Sequence, residues 1–376
     1  MTISTPLVRI PPSIASLGDY EPLAREHLND NAWAYLSGGA ADEITLRENI
    51  TAFDRIKFIS RVLRPLNSAS TQTRLLGQTF EAPIFLAPVA HQKLFHPHGE
   101  SAMALGASAM NTGMVLSTLS SVSMEEVARV SSAPLWFQLY FQPNREATRI
   151  LVERARIAGY RAIVATIDTP VSGMRNREQR VQFHIPPGLE AANLRGLPGN
   201  SSQQPVIGAW NARPGSVLFG SALDASPTWE DIRWLREQTS LPILLKGILH
   251  PADAVLALES GADGIIVSNH GGRNLDTLPA AIEALPAVAA AVAGKMPILF
   301  DGGIRRGTDI LKALALGAQA VLIGRPANHA LAVAGAVGVA HVLKILRAEM
   351  EAAMSVLGCA SLDQADSSIL WSPPAR

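Results

Sequence analysis

Cysteine is almost absent from this chain of 376 residues, which contains only Cys359. A single cysteine excludes an internal disulfide framework and is typical of proteins from a reducing compartment. An excess of one charge sign is also lacking, since 32 Lys and Arg residues balance 32 Asp and Glu residues. We therefore expect no electrostatic attraction to nucleic acid or to an anionic membrane surface.

Long hydrophobic runs are missing as well. No apolar stretch of about 18 residues runs without a charge or a turn former, so we expect no membrane-spanning helix. Residues 1–13 lack a charged start followed by an apolar run, so we expect no signal peptide. With 48% hydrophobic and 17% charged residues, the chain can bury a large core. These features predict a soluble globular protein of the cytoplasm.

The chain does contain a repeating pattern. From residue 80 onward, short apolar runs alternate with segments of helical spacing that are rich in Ala, Leu, Glu and Arg. The eight runs are residues 84–87, 114–117, 135–139, 162–166, 242–246, 264–268, 297–301 and 320–324. Eight strand–helix units in about 250 residues predict a closed (β/α)8 TIM barrel. An open doubly wound sheet is the alternative, but no G-x-G-x-x-G follows the first run.

The pattern divides a single domain of 1–376 into parts. We expect a helical N-terminal cap, the barrel, and a C-terminal helix with its tail, over residues 1–79, 80–335 and 336–376. In the cap, helical spacing begins at Asp19, stops at Ser37-Gly38-Gly39 and resumes from Thr45 to Phe53.

About 75 residues separate the fourth run from the fifth, far more than one helix needs. Much of this interval is dense in Gly, Pro, Asn, Ser and Gln. Long loops of this kind in compact domains are usually functional or mobile. We expect residues from about 170 to 227 to form a lid over the barrel mouth.

The sixth run ends in the most informative stretch of the sequence, Ser268-Asn269-His270-Gly271-Gly272-Arg273. Its glycines allow a sharp bend or close approach to a flat ligand. His270 can transfer a proton near neutral pH. Arg273 can bind a carboxylate through two parallel hydrogen bonds. Taken alone, the stretch also fits a plain strand-to-loop junction with a capping histidine and a surface arginine.

The other strand ends favour a functional site over a plain strand-to-loop junction. The C-terminal ends of barrel strands meet at one mouth, where unpaired charges are costly without a ligand. Every end after the first carries a polar or charged group, namely Ser117, Thr118, Gln138, Tyr140, Thr166, Asp168, Lys246, Ser268, His270, Arg273, Asp301 and Arg325. Their convergence predicts a binding site at this mouth.

The last two strand ends form a pair. Asp301-Gly302-Gly303-Ile304-Arg305 and Gly324-Arg325 offer bare backbone N–H groups and two arginines. Barrels often bind a phosphate at these loops, although plain Gly-containing turns are the alternative. A phosphate at one end and a polar ring near Ser117, Gln138, Thr166 and Lys246 describe FMN. The residues alone also permit other phosphorylated ligands.

Four motifs carry a resemblance to a known family. SNHGGRNLD, with LPILLKG upstream and DGGIRRGTD and IGRP downstream, resembles the FMN-dependent (S)-2-hydroxy acid oxidases. That family includes glycolate oxidase, lactate oxidase and mandelate dehydrogenase. The resemblance runs in order from SGGAADEITLREN to IGRP, almost the whole chain. APVAHQKLFHPHGE and STLSSVSMEEVA are most similar to bacterial hydroxymandelate and lactate oxidases.

The resemblance implies a role for each site residue. His270 would be the active-site base, and Asp168 would hold its ring. The substrate carboxylate and hydroxyl would be bound by Tyr35, Tyr140, Arg175 and Arg273. Lys246 would lie at the flavin edge where negative charge accumulates. The remaining FMN contacts would come from Ala87, Pro88, Val89, Ala90, Ser117, Gln138, Thr166, Ser268, Asp301, Gly302, Gly303, Arg305, Gly324 and Arg325.

Departures from the family pattern bear on the substrate. Leu119 stands where many glycolate oxidases have Trp, which implies a roomier pocket, and His91 would face the substrate side chain. The family often has Thr in place of Val89. Ala90 is retained, whereas the family's dehydrogenases tend to have Gly there. The resemblance thus implies oxidation of a mandelate-like or lactate-like (S)-2-hydroxy acid to the 2-oxo acid by a homotetramer, with O2 reduced to H2O2.

Other readings stay open at this point. The same scaffold could be a dehydrogenase that passes electrons to a quinone or cytochrome, or a lactate-type monooxygenase. A barrel that binds a phosphorylated ligand without turnover is a third possibility. His91, His96 and His98 have the spacing of a metal cluster, but no carboxylate pattern completes it, so we predict no metal site.

Overall fold

Eight short apolar strands close into a parallel barrel. The computed structural model describes residues 6–7, 9–199 and 226–371. The barrel strands are β3 (Ile84–Leu86), β4 (Gly113–Leu116), β5 (Leu135–Leu139), β6 (Ile163–Thr166), β7 (Ile243–Ile248), β8 (Gly264–Val267), β9 (Ile298–Asp301) and β10 (Ala320–Ile323). They follow one another in chain order, and β10 pairs with β3 to close the ring. The predicted (β/α)8 barrel and its eight strands are confirmed.

The barrel interior is packed rather than hollow. Each strand sends one large apolar side chain inward, and each of these is no more than 1% exposed. This layer consists of Phe85, Val115, Trp136, Val164, Leu244, Ile266, Leu299 and Leu322. Ala162 and Ala320 lie below it. Because side chains alternate along a strand, the residue two positions later on each strand also faces inward, toward the C-terminal mouth.

A hairpin that the sequence analysis missed lies at the other end of the barrel. Strands β1 (Thr73–Leu75) and β2 (Gln78–Phe80) pair antiparallel within the expected helical cap. Phe80 packs its ring 4.6 Å from that of Phe85, which belongs to the interior layer. The hairpin therefore covers the N-terminal end of the barrel. Three-residue strands are too short to show a period in the sequence.

Among its described residues, the N-terminal cap contains three α-helices rather than the expected two. They are α1 (Tyr20–His27), α2 (Asp30–Ser37) and α3 (Ile44–Arg55). The expected helix from Asp19 is broken after His27, because the Asn29 side chain accepts a hydrogen bond from the Ala32 N–H and begins a new helix. The apolar spacing continues across the break, so the pattern alone did not reveal it.

The remaining helices lie around the barrel and above its mouth. They are α4 (Gly99–Ala109), α5 (Met124–Val130), α6 (Arg145–Ile157), α7 (Asn176–Arg180), α8 (Trp229–Gln238), α9 (Pro251–Glu259), α10 (Ala281–Val292), α11 (Gly307–Ala315) and α12 (Arg325–Leu357). Helix α7 belongs to the expected lid. Residues 200–225 of that lid lie outside the described residues, so its role as a lid stays a prediction.

Helix α12 is the one helix in the described parts of the chain that is long and apolar enough to cross a membrane. However, 67% of its most apolar window is buried within the protein, as in the core helix of a globular protein. It also kinks at Ala334 and Gly335, whose backbone angles are not helical. The expected boundary between barrel and C-terminal helix, at residues 335 and 336, falls at this kink.

Candidate active site

A polar layer lies directly above the apolar barrel interior. Its members are the inward residues two positions beyond that layer, namely Ala87, Ser117, Gln138, Thr166, Lys246, Ser268, Asp301 and Gly324. Seven of them were predicted from their places at strand ends, and Ala87 was predicted only through the family resemblance. Ser117 donates to Gln138 Oε1 at 3.2 Å, whereas Gln138 Nε2 is buried and has no hydrogen-bond partner among the described residues. The layer forms a polar floor with free hydrogen-bonding capacity.

His270 and Asp168 form a pair at the edge of this floor. His270 Nδ1 lies 2.9 Å from Asp168 Oδ1, and the His270 backbone N–H donates to Ser268 Oγ at 3.0 Å. Because a carboxylate can only accept a hydrogen bond, the hydrogen of the neutral ring is on Nδ1. Nε2 is therefore the nitrogen that can take up a proton from a ligand. Burial raises the pKa of Asp168, but the nearby His270 and Lys246 outweigh burial and lower it. Asp168 therefore stays ionised and can stabilise a protonated His270.

Gly247 makes the position of Asp168 possible. Its backbone has a φ of +115°, and a Cβ at this position would lie 2.4 Å from the Asp168 Cβ. Strand β7 shifts register between Lys246 and Ile248, where it leaves its regular pairing with β8. A residue with a side chain at position 247 would push Asp168 away from His270.

Lys246 is a buried cation in the polar floor. Its Nζ lies 2.9 Å from Asp301 Oδ2 and donates to Ser268 Oγ at 2.8 Å. Burial lowers the pKa of Lys246, but Asp301 and Asp168 outweigh burial and raise it. Asp301 Oδ1 is also buried and has no partner among the described residues. This edge can therefore meet both a negative group and a hydrogen-bond donor of a bound ring.

Two arginines from different loops meet at one side of His270. Arg175 Nη1 lies 2.9 Å from Glu178 Oε1, and Arg273 Nη2 lies 3.2 Å from the same oxygen. Arg273 also donates to the carbonyls of Tyr35 and Gly38 at 2.8 and 2.9 Å. The Nε of Arg175 is buried and has no partner in the described parts of the chain. The predicted arginine pair is brought together, with a donor left over for a carboxylate.

Two tyrosines, both predicted from the sequence, complete this side of the mouth. The guanidinium carbon of Arg273 lies 5.2 Å from the Tyr35 ring centroid, and the Tyr35 ring stacks on Phe183 at 4.8 Å. Burial raises the pKa of Tyr35 and of Tyr140. Asp168 raises the pKa of Tyr140 further. Both phenols therefore keep their protons and can donate a hydrogen bond.

His91 and Leu119 lie side by side at the mouth. The His91 backbone N–H donates to the Leu119 carbonyl at 3.1 Å, which joins the loops after β3 and β4. His91 is buried and its ring lies 6.4 Å from the Tyr35 ring. Burial lowers the pKa of His91 to about 4, so the ring is neutral near pH 7. Ala87, Pro88, Val89 and Ala90, at the start of the same loop, are only partly buried.

Arg325 and Arg305 continue a row of positive charge that begins at Arg273 and leads away from the floor. Arg325 donates to the carbonyls of Leu36, Gly38 and Gly271 at 3.1, 2.8 and 2.9 Å. Burial, together with Arg273 and Arg305, lowers the pKa of Arg325 to about 9. Like charges brought this close favour an anion among them. Gly324 leaves open space beside them, since an added Cβ would meet only the Ala87 Cβ at 3.8 Å.

Known proteins share this architecture. A family model described as FMN-dependent dehydrogenase matches residues 24–372. The chain is 48% identical over 363 residues to an L-lactate oxidase of Nostoc sp., covering 94% of this chain and 97% of that protein. It is 45% identical over 346 residues to a peroxisomal (S)-2-hydroxy-acid oxidase of Oryza sativa subsp. japonica, covering 92% and 93%. The chain belongs to the FMN-dependent dehydrogenase family.

Solved structures agree. A mandelate oxidase with (S)-2-phenylpropionate superposes with a TM-score of 0.85 at 41% identity, covering 96% of this chain and 98% of that one. A mandelate oxidase with benzoyl-formic acid gives the same TM-score, identity and coverage. The predicted family, and FMN as the cofactor, are confirmed.

The residues of this family member fit FMN. The unpartnered Gln138 Nε2 and Asp301 Oδ1 face a floor where a polar ring can satisfy both. Lys246 lies in that floor and suits the ring edge that gains negative charge. The row formed by Arg305 and Arg325 suits a phosphate, whose charge would offset their mutual repulsion. The individual FMN contacts stay predictions.

Three residues of the site were missed by the sequence analysis. Glu178 joins the two arginines. Asn193 anchors the loop after β6, because its Nδ2 donates to the Ser117 carbonyl at 3.2 Å. Asn49 forms a reciprocal amide pair with Asn269, at 2.9 and 2.8 Å. Asn49 lies in TLREN and Glu178 lies in MRNREQR. In both segments the neighbouring residues in sequence are also polar, and only contacts in space distinguish these two from the others.

Proposed function

We propose that this protein oxidises an (S)-2-hydroxy acid to the 2-oxo acid, with O2 reduced to H2O2. One observation carries the proposal: the His270–Asp168 pair lies on the same rim as Arg175 and Arg273. A base beside a carboxylate-binding pair is what removal of a proton from a 2-hydroxy acid requires. The names of the related oxidases support the same reaction.

In the proposed reaction each residue has a task. Arg175 and Arg273 bind the substrate carboxylate, which orients the hydroxyl-bearing carbon toward His270. His270 Nε2 takes up the proton, and Asp168 stabilises the resulting imidazolium at 2.9 Å. Tyr140 keeps its proton and donates to the substrate oxygen. When bound, FMN would accept the two electrons and the second hydrogen.

The side-chain pocket supports a mandelate-like or lactate-like substrate. Leu119 and the neutral His91 would form its wall, and neither carries a charge that would lose hydration beside an apolar substituent. Leu119 is smaller than the Trp found in many glycolate oxidases, which leaves room for a larger substituent. The solved relatives are mandelate oxidases, and the Nostoc relative is a lactate oxidase.

A panel of hydroxy acids tests the proposal. Under anaerobic conditions, the yellow FMN spectrum of the purified protein should bleach with (S)-mandelate or (S)-lactate and not with the R enantiomers. Under air, one H2O2 should form per 2-oxo acid. Bleaching without peroxide would favour a dehydrogenase or a monooxygenase on this scaffold. Absence of bleaching with every member of the panel would contradict the proposal.

We further propose that the enzyme is a cytoplasmic homotetramer. The single cysteine supports a reducing compartment. Val62 and Leu63 are 79% and 100% exposed and lie near Val356, because the Arg61 N–H donates to the Leu357 carbonyl. Exposed apolar side chains grouped in this way support contact between copies of the chain. Light scattering after size-exclusion chromatography should give four times the mass of one chain.

A further inference from the structure

Glu100 is a buried acid that the proposed reaction does not use. It lies in the first turn of α4, the helix that follows the loop after β3, and it is 0% exposed. Its Oε1 accepts hydrogen bonds from the Gln92 N–H and the Ser121 N–H, both at 2.9 Å, and its Oε2 accepts one from Ser121 Oγ at 2.7 Å. A buried carboxylate is costly unless hydrogen bonds offset its lost hydration. Because the donors come from two loops, this carboxylate joins the loop after β3 to the loop after β4.

Ser121 closes a ring of hydrogen bonds between the same two loops. Its Oγ donates to Glu100 and accepts a hydrogen bond from the Lys93 N–H at 3.0 Å. Gly99 allows the chain to pass close to Lys93, since it has a φ of +41° and an added Cβ would lie 3.0 Å from the Lys93 nitrogen. Gln92 and Lys93 of one loop are thereby fixed against Ser121 of the other loop.

Both fixed segments adjoin the proposed side-chain pocket. Gln92 follows His91, and Ser121 comes two positions after Leu119. His91 has a left-handed backbone with a φ of +55°, which residues with a side chain seldom adopt. Such a conformation persists only where the surrounding structure holds it. Here the Leu119 carbonyl holds the N–H of His91, and Glu100 holds the N–H of the next residue, so both peptide groups of His91 are fixed.

We propose that Glu100 is a positioning residue that sets the separation of His91 and Leu119, and through it the selectivity for the substrate side chain. The inference rests on the proposed function and deepens it, because it concerns how the same site distinguishes a phenyl from a methyl substituent. The larger substituent depends more on where the pocket wall lies. Glu100 acts through the two loops, since its oxygens are occupied by the N–H groups of Gln92 and Ser121 and by Ser121 Oγ.

Two 2-oxo acids of equal charge test the inference without turnover. Pyruvate carries a methyl group and benzoylformate carries a phenyl group, and both can be titrated against the spectrum of the FMN-loaded protein. E100A removes all three hydrogen bonds, so the ratio of the benzoylformate Kd to the pyruvate Kd should rise by at least about tenfold. A ratio that falls, or that stays constant because both ligands weaken equally or neither does, would overturn the inference.

E100Q separates hydrogen bonding from charge. Its Oε1 can still accept from both N–H groups, and its Nε2 can donate to Ser121 Oγ. The Kd ratio in E100Q should therefore lie within about threefold of the wild-type value. A ratio as high as that of E100A would contradict positioning through these hydrogen bonds.

E126A is the matched control. Glu126 is an exposed acid that accepts hydrogen bonds from the N–H and Oγ of Ser123, at 3.2 and 2.9 Å, on the same loop after β4. These bonds begin α5 and do not join the two loops. E126A should leave the Kd ratio unchanged, and a rise equal to that of E100A would show that any lost cap on this loop has the same effect.

Loss of a buried carboxylate can prevent folding, so S121A at a half-buried position provides a second measure. It removes the hydrogen bonds of Oγ with Glu100 and with the Lys93 N–H. The Kd ratio should rise in the same direction by about threefold. An unchanged ratio in S121A, with normal oxidation of 2-hydroxy acids by the wild type, would overturn this inference alone. A wild type that oxidises no 2-hydroxy acid, with a Kd ratio that responds as expected, would overturn the proposed function alone.

Discussion

At the scale of single residues, the His270–Asp168 pair depends on a gap in the neighbouring strand. Gly247 leaves that gap, since a Cβ there would lie 2.4 Å from the Asp168 Cβ. G247A should displace Asp168, weaken its hydrogen bond to His270 and lower kcat/KM by at least about 100-fold. Steady-state kinetics with the best substrate of the panel would measure this loss.

Gly159 provides the matched control. It also has a left-handed backbone, with a φ of +89°, but an added Cβ would meet nothing within 4 Å. G159A should therefore cost about 1 kcal/mol of stability through backbone strain and leave kcat/KM unchanged. Equal kinetic losses in G159A and G247A would show that strain, not contact with Asp168, explains the effect.

The sequence predicted single site residues well where they lie on strands. Lys246, Ser268 and Asp301 follow apolar runs at a fixed interval, and the period of two places them in one layer. Residues far from the strand ends, such as Arg175 and Tyr35, were predicted only through the family resemblance. Glu178 was not predicted, because its role arises from contact with a loop about 95 residues away in the chain.

At the scale of elements, the N-terminal cap holds the loop that carries His270. Asn49 on α3 and Asn269 exchange two side-chain hydrogen bonds, and Asn49 Oδ1 also accepts from the Ala281 N–H at 3.0 Å. The C-terminal end of α2 contributes the carbonyls that bind Arg273 and Arg325. Unpaired carbonyls at a helix end attract cations. The cap thus shapes the site although it contributes only Tyr35 to the predicted substrate contacts.

Removing the amide of Asn49 tests this coupling. N49A should cost about 1–3 kcal/mol of stability, because buried partners on Asn269 and Ala281 lose a hydrogen bond. It should also lower kcat, since the backbone next to His270 is less firmly held. E48A, at the exposed neighbouring position, should change neither quantity. Denaturant unfolding and steady-state kinetics on both variants measure the two effects. A wild-type kcat in N49A would contradict the coupling between the cap and the loop that carries His270.

Most features of the fold that were not predicted from the sequence concern where helices and strands begin and end. The break between α1 and α2 at Asn29 depends on one side-chain hydrogen bond within an unbroken apolar spacing. The hairpin of β1 and β2 is stabilised by Phe80 against the barrel interior, a contact that local spacing does not show. The hairpin depends on tertiary packing, whereas the break depends on a local helix cap that the apolar spacing does not show.

At the scale of the whole molecule, the repeat of apolar runs was sufficient for the barrel. Eight runs with helical segments between them leave few topologies, because parallel strands require crossovers of one hand. The position of the mouth follows in the same way, because the C-terminal ends of all eight parallel strands lie at one end of the barrel. The polar residues at those ends then predicted a binding site at this mouth.

A buried histidine makes the stability of the whole protein depend on pH. His329 is 2% exposed and stacks on Trp33 at 5.7 Å. Burial, then Arg305 and Arg325, lowers its pKa from 6.5 to about 3. The unfolded chain therefore binds a proton below about pH 6.5 that the folded chain does not bind, so stability falls as the pH drops toward 3. This histidine alone should cost about 2 kcal/mol between pH 7 and pH 5.

H329F keeps a stacking ring and removes the proton-binding group. The difference in unfolding free energy between pH 7 and pH 5 should be smaller in H329F than in the wild type by about 2 kcal/mol. Denaturant titrations at the two pH values measure this difference. H184F, at an exposed position, serves as the control. An unchanged pH dependence in H329F would show that folding does not lower the pKa of His329.

The proposed role of His270, held by Asp168, is to take up the substrate proton, and the rate of anaerobic FMN bleaching in H270Q measures that role. The variant should keep the FMN spectrum and bind pyruvate, because Arg175 and Arg273 remain in place. With the substrate that bleaches the wild type, H270Q should bleach about 1,000-fold more slowly. Bleaching of H270Q at the wild-type rate would contradict the account.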